Sequence, residues 1–219
     1  MSRRVYLDHA SSSPLRPAAE LEIASNLQQL DRNSEAEALL QGMIAKDPSN
    51  FDAHVSLGSL ARFSEKYDKA IEQYDAALRL LPSIGKNQWR IIYDRAICYE
   101  RLNQWDKAEV DFRKALELQP DEPNVLNYLG YSLIDKKMKL EEAIGMVKKA
   151  VELKPNEGFF VDSLGWAYFQ MGDFDQALPH LERAVDLKAG DPIIAEHLGD
   201  AYWRVGRKLE AHFQWQHAK

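Results

Sequence analysis

Gly158 to Asp191 reads GFFVDSLGWAYFQMGDFDQALPHLERAVDLKAGD, and the fold follows from this stretch. Leu164-Gly165 is followed three residues on by Tyr168, and then by Ala177, Leu181 and Ala184 at helical spacing. Such an order predicts two antiparallel helices in close contact. Small residues (Gly165, Ala177, Ala184) sit where the helices cross, and large ones (Trp166, Tyr168, Leu181) fill the space beside them.

The same frame recurs along the chain. Gly58, Gly130, Gly165 and Gly199 share one slot, the last three spaced by 35 and 34 residues. Ala96 takes the slot between Gly58 and Gly130, followed in register by Tyr99, Ala108, Phe112, Ala115 and Pro120. A degenerate copy, with Ala24, Ala36, Leu40 and Pro48, precedes Phe51. A period of 34 residues with Leu-Gly, an aromatic, Ala, a large apolar residue and a closing Pro resembles the tetratricopeptide repeat (TPR) family. In the 158–191 copy only the closing Pro departs, Ala189 standing in its place. The resemblance implies an all-α, right-handed superhelical solenoid of about six helix-turn-helix repeats: 17–50, 51–84, 89–122, 123–157, 158–191 and 192–219. Each repeat buries its apolar face against its neighbours, so one TPR domain over 17–219 is expected, preceded by a tail at 1–16.

Composition narrows the function. The 219 residues are 45% hydrophobic and carry a net charge of −6, which disfavours a phosphate backbone as the main partner. A lone cysteine, Cys98, excludes an intramolecular disulfide. No run approaches the roughly 18 apolar residues of a membrane span. Met1–Arg4 is basic without a following apolar core, so the chain as given carries no export signal and reads as cytoplasmic.

Local departures from the period are informative. Val5 to Pro17, VYLDHASSSPLRP, resembles the amino-terminal segment of cysteine desulfurases, which are pyridoxal-phosphate enzymes. Those enzymes hold the cofactor on a Lys that follows a His, and no His-Lys pair occurs here, so no cofactor is expected. Ser34 is a candidate N-cap, and Met43 replaces a usual small residue, predicting a looser first pair. Gly85–Gln88 lengthens one connection, and Lys136-Lys137-Met138-Lys139 adds a residue to the inter-helix turn, accounting for the 35-residue spacing. From Asn127 onward, the wordings NYLGYSLID, DSLGWAYF and EHLGDAYWRVGR are similar to the carboxy-terminal repeats of proteobacterial TPR scaffold and adaptor proteins, some of them outer-membrane lipoproteins. That resemblance implies adaptor function and a periplasmic or outer-membrane-associated alternative for the compartment.

Catalytic patterns are missing. The chain has no glycine-rich phosphate loop, no G-x-S-x-G and no H-E-x-x-H, so a non-enzyme without a metal site is expected. His212 and His217 stand too far apart around a helix to share a metal, and His54, His180 and His197 read as ordinary surface or packing residues. In TPR stacks the first helix of each pair lines the concave groove, which places Tyr93, Asn127, Tyr131, Asp162, Trp166, Phe169, Glu196, Asp200 and Trp203 there. Exposed aromatics rimmed by carboxylates suit a protein or peptide partner bearing basic and apolar residues. The Lys and Asn with which chaperone-binding TPR domains clamp a carboxylate are replaced by Leu21 and Ser25. Leu209 and Phe213 sit where earlier repeats carry Asp68 and Glu72, or Asp175 and Pro179. Beside Trp215, in a last repeat with no polar cap after it, they predict a self-assembling module as the alternative and a possible homo-oligomer.

Overall fold

A computed structural model describes residues 16–218, and all regular elements among them are helical. The segment resembling cysteine desulfurases lies almost wholly outside them. Two compact units divide the chain, up to Lys114 and from Ala115 on. In the first, the described helices are α1 (Pro17–Gln29), α2 (Asn33–Lys46), α3 (Phe51–Phe63), α4 (Tyr67–Arg79) and α5 (Trp89–Arg101), with a 3-10 turn at Lys86–Gln88 before α5. Helix α6 (Trp105–Leu118) contains the boundary. The second unit holds α7 (Pro123–Asp135), α8 (Leu140–Leu153), α9 (Gly158–Gln170), α10 (Phe174–Leu187), α11 (Pro192–Arg204) and α12 (Lys208–His217). Helices thus pair in succession along the chain, and the 3-10 turn occupies the Gly85–Gln88 connection that the period required.

Helix starts are written in the sequence. Pro17, Pro123 and Pro192 open α1, α7 and α11, where a missing backbone N–H costs nothing. Asn50, Asp173 and Asp191 accept hydrogen bonds from backbone N–H groups of the first turns of α3, α10 and α11. Ser34 does not cap α2. That helix begins at Asn33, and its start is held instead by an Arg32–Glu35 pair at 2.6 Å and by Asn33 donating to Asp31.

The turn inside each pair is equally regular. The second residue past each first helix has a positive φ: Asp31, Glu65, Asn103, Lys137, Gly172 and Gly206. Each is followed by a residue whose N–H reaches back to a carbonyl five residues earlier, as from Asp173 to Tyr168 at 3.0 Å. This closure satisfies the last carbonyls of the helix. Three residues join the helices of most pairs, whereas α7 and α8 are joined by the four residues 136–139, with Lys139 adding a second positive φ.

Close helix approach depends on the shared glycine slot. A Cβ on Gly165 would stand 2.7 Å from Cγ of Leu181, one on Gly58 would stand 2.8 Å from the ring of Tyr74, and one on Gly130 would stand 2.7 Å from Val147. A Cβ on Gly199 would stand 2.5 Å from Nε1 of Trp215. Every large partner lies 16 residues on, or 17 across the lengthened turn. Ala177, Leu181 and Ala184 are fully buried, as their spacing predicted. Met43 is buried too, in a core with Ala24, Ala36 and Leu40, so its bulk fills the first pair instead of loosening it.

Candidate functional site

The first helices of the second unit, α7, α9 and α11, carry four carboxylates (Asp135, Asp162, Glu196, Asp200) against one guanidinium, Arg204. Their aromatic residues form a connected series. Trp166 stacks on Phe169, with centroids 4.7 Å apart and planes 10° from parallel, and on the His197 ring at 4.0 Å and 12°. Tyr131 lies 6.4 Å from the same imidazole. Phe169 meets the edge of Phe174 at 5.5 Å, and the Arg204 guanidinium covers Phe174 at 5.3 Å. Each aromatic pair of this kind adds about 0.5–1.5 kcal/mol beyond area burial.

Helical spacing explains the stack within α9. Trp166 and Phe169 are three residues apart on one helix and meet on its surface. The contribution of His197 comes from α11, and Asp162 fixes it. His197 Nδ1 lies 2.9 and 3.1 Å from the two Asp162 oxygens. A carboxylate only accepts, so Nδ1 carries the proton. The buried ring is thereby locked in tautomer and plane as a platform for Trp166. Asp162 is 4% exposed and spent on this bond, so it does not face a partner as an open groove carboxylate. Its burial follows from a neighbour that the repeat frame did not assign to the groove.

His197 is the residue that sequence reasoning missed at this site. The available signal was its offset of 35 residues from Asp162, one repeat plus one residue, which puts an acid and an imidazole on adjacent first helices.

The remaining predicted residues divide. Tyr131 is half-buried, and its phenol pKa is pushed up to about 12, first by burial and then by Asp135, Asp162 and Glu196. Negative potential therefore converges on the aromatic face. Glu196 is exposed. Asp200 accepts from the Trp215 indole at 3.1 Å and so helps seat the side chain that fills the Gly199 slot. Trp203 is 48% exposed, tilted against Trp215 at 5.6 Å, with Lys208 above it at 5.2 Å. Asn127 is half-buried, and its buried Oδ1 has no hydrogen-bond partner. Tyr93 belongs to the first unit, where it meets Phe112 at 5.9 Å and Trp89 at 6.4 Å.

At the end of the second unit, Leu209 is 88% and Phe213 57% exposed. Their counterparts Asp68, Glu72, Asp175 and Pro179 are also exposed, so this is an outward face of the helix rather than its stacking face. In α10 the packing positions hold Phe174 and Leu178, and α12 has Lys208 and His212 there. The end is therefore more polar than the sequence period suggested.

These features define a class: a helical-repeat protein whose first helices present a pre-stacked aromatic face edged by carboxylates. One tetratricopeptide repeat model matches residues 21–83 and 163–216, more than half of the chain, and a second matches residues 89–122. The chain belongs to the tetratricopeptide repeat family. It is similar to BBSome complex member BBS4 of Bos taurus, 33% identical over 119 residues, which are 52% of this chain and 21% of that protein. It is also similar to TPR repeat-containing protein PA4667 of Pseudomonas aeruginosa, 29% identical over 114 residues, covering 52% and 19% of the two chains. The chain thus spans about a fifth of the length of these relatives. Among solved structures, the APC/C hetero-tetramer Cut9–Hcn1 superimposes with a TM-score of 0.82 at 19% identity, over 96% of this chain and 41% of that one. YrrB, a TPR protein with an unusual peptide-binding site, gives a TM-score of 0.66 at 19% identity, over 91% of this chain and all of its own. At such identities the likeness establishes the fold alone. The resemblance of residues 5–17 to cysteine desulfurases finds no support in these matches. Among the described residues no helix is long and apolar enough to cross a membrane, and no group of three His, Cys, Asp or Glu side chains is placed to hold a metal ion.

Proposed function

We propose that this protein is a non-catalytic scaffold or adaptor that grips a peptide segment of a partner on the aromatic face of α7, α9 and α11. The observation that carries the proposal is the Trp166 ring, held parallel to both Phe169 and His197. A pre-ordered aromatic surface supplies contact area at little entropic cost, which is where binding energy concentrates. Glu196 and Asp135 are exposed beside Tyr131 and select Lys or Arg next to a large apolar side chain on the partner. Panning a random peptide display library on the immobilised chain tests this. Enriched peptides should pair a basic with an aromatic or aliphatic residue, and Glu196→Gln should weaken their binding. An acidic consensus, or enrichment indifferent to Trp166→Ala, would overturn it.

A second reading, self-association, is favoured by one observation, the Leu209–Phe213 pair exposed one helical turn apart on α12. It would use an outward helix face, since Lys208 and His212 make the stacking positions polar.

A further inference from the structure

The second helices of the fourth and fifth repeats gather cationic side chains that the groove does not use. Tyr168, on α9, is the centre of this cluster. The His180 ring of α10 lies parallel to Tyr168, with centroids 5.7 Å apart and planes 8° from parallel. Lys148 of α8 places Nζ 5.4 Å from the Tyr168 centroid. Arg183, one turn beyond His180, directs one Nη at the Pro155 carbonyl (2.7 Å) and at Asn156 Oδ1 (3.2 Å), both neutral acceptors. Among the described residues neither Lys148, His180 nor Arg183 is in an ion pair, whereas the adjacent Lys149 reaches Asp121 at 4.0 Å.

We propose that Lys148 and His180, beside Tyr168, together with Arg183 one turn beyond His180, bind a phosphoryl dianion, either inorganic phosphate or a phosphate monoester. Lysine supplies a point charge, and Arg183 keeps its fixed positive charge with donors on Nε and the second Nη not taken by Pro155 and Asn156. Two fixed cations and one imidazole that can take up a proton match a single phosphoryl group. They do not match a nucleic acid, whose many phosphates would meet a chain of net charge −6.

The electrostatics agree. Burial, then Arg183, then Lys148 push the His180 pKa below its ordinary value, and no carboxylate opposes them. The groups facing this imidazole are Arg183 on its own helix, Lys148 from α8 and Tyr168 from α9. In the free protein the imidazole is therefore neutral at pH 7, and a bound dianion restores its proton. The bound dianion thus raises the His180 pKa, while the phosphoryl group's own second ionisation, at about pH 6 for a monoester, depletes the dianion as pH falls.

The test is an NMR titration of the full chain with inorganic phosphate, at constant ionic strength set by chloride, following the His180 ring as identified by His180→Gln. The expected result is a saturable shift with a His180 pKa raised by about one unit. Lys148→Ala and Arg183→Ala should each weaken phosphate at least about tenfold, while Trp166→Ala leaves it unchanged. A parallel arm with phosphoserine separates sources: tighter binding than phosphate marks a phosphorylated partner, and equal binding marks the free anion. A linear, non-saturating response in the native chain, or one indifferent to the double Lys148→Ala, Arg183→Ala variant, would overturn the proposal. The native-chain titration decides even if a variant fails to fold.

Discussion

Placing alanine at two helical glycines of the second unit should have opposite effects on stability. In Gly165→Ala the new Cβ meets Leu181 at 2.7 Å from Cγ, 2.8 Å from Cδ2 and 3.1 Å from the backbone nitrogen, where ordinary contact begins at 3.4 Å. Leu181 is fully buried and has nowhere to swing. The helices must part by roughly 0.7 Å, and such overpacking costs about 1–3 kcal/mol, against a gain of about 1 kcal/mol from replacing glycine within a helix. A net loss of about 1 kcal/mol follows, without unfolding, because Ala24 opposite Leu40 and Ala96 opposite Phe112 show that the slot accepts a Cβ when the pair is spaced for it. Gly145 in α8 has nothing within 4 Å, so Gly145→Ala keeps the full propensity gain and should stabilise by about 1 kcal/mol. Urea denaturation followed by circular dichroism measures both. Opposite displacements of the midpoint with unchanged slopes are expected. If Gly165→Ala stabilises as much as Gly145→Ala, the close helix approach at the repeat slot is wrong.

Three further outcomes are expected. Ala177→Leu, at a fully buried crossing, should cost about 1–3 kcal/mol, read from the denaturant midpoint; a tolerated leucine would mean that the helices are farther apart there. The phenols of Tyr74, Tyr131 and Tyr202 are all pushed up to about 12, so their stabilising contribution is complete below pH 10 and lost as pH rises through 12. Ultraviolet absorbance should show these tyrosines ionising late and together with unfolding, and Glu196→Gln should lower the Tyr131 pKa. If self-association runs through α12, sedimentation at tens of micromolar should show an oligomer that Leu209→Asp with Phe213→Asp converts to monomer; monomers in both cases would remove that reading.

Much of the fold was legible because it rests on volume and period. A glycine opposite a large residue 16 positions on declares a helix crossing, and one extra residue at 136–139 declares a longer turn. The turn conformation was less visible, since Asp31, Glu65, Asn103 and Lys137 adopt a positive φ that only Gly172 and Gly206 announce. The site was legible in part. Helical position brought Trp166 and Phe169 to one face, but it treated Asp162 as a free carboxylate. Whether an acid faces solvent or a partner depends on a side chain one helix away, here His197, which no single-helix pattern contains. Leu209 and Phe213 show the converse: their exposure was readable, but not which side of α12 they occupy.

In the proposed function, Trp166 on its stacked platform anchors partner binding. Isothermal titration of a peptide selected on the native chain, against the native protein and Trp166→Ala, tests it most directly. A loss of at least about 2 kcal/mol in binding, roughly thirtyfold in Kd, is expected, with the helical signal retained. Equal affinity in the two proteins, with a large drop in Tm for the variant, would contradict it and leave Trp166 as a packing residue.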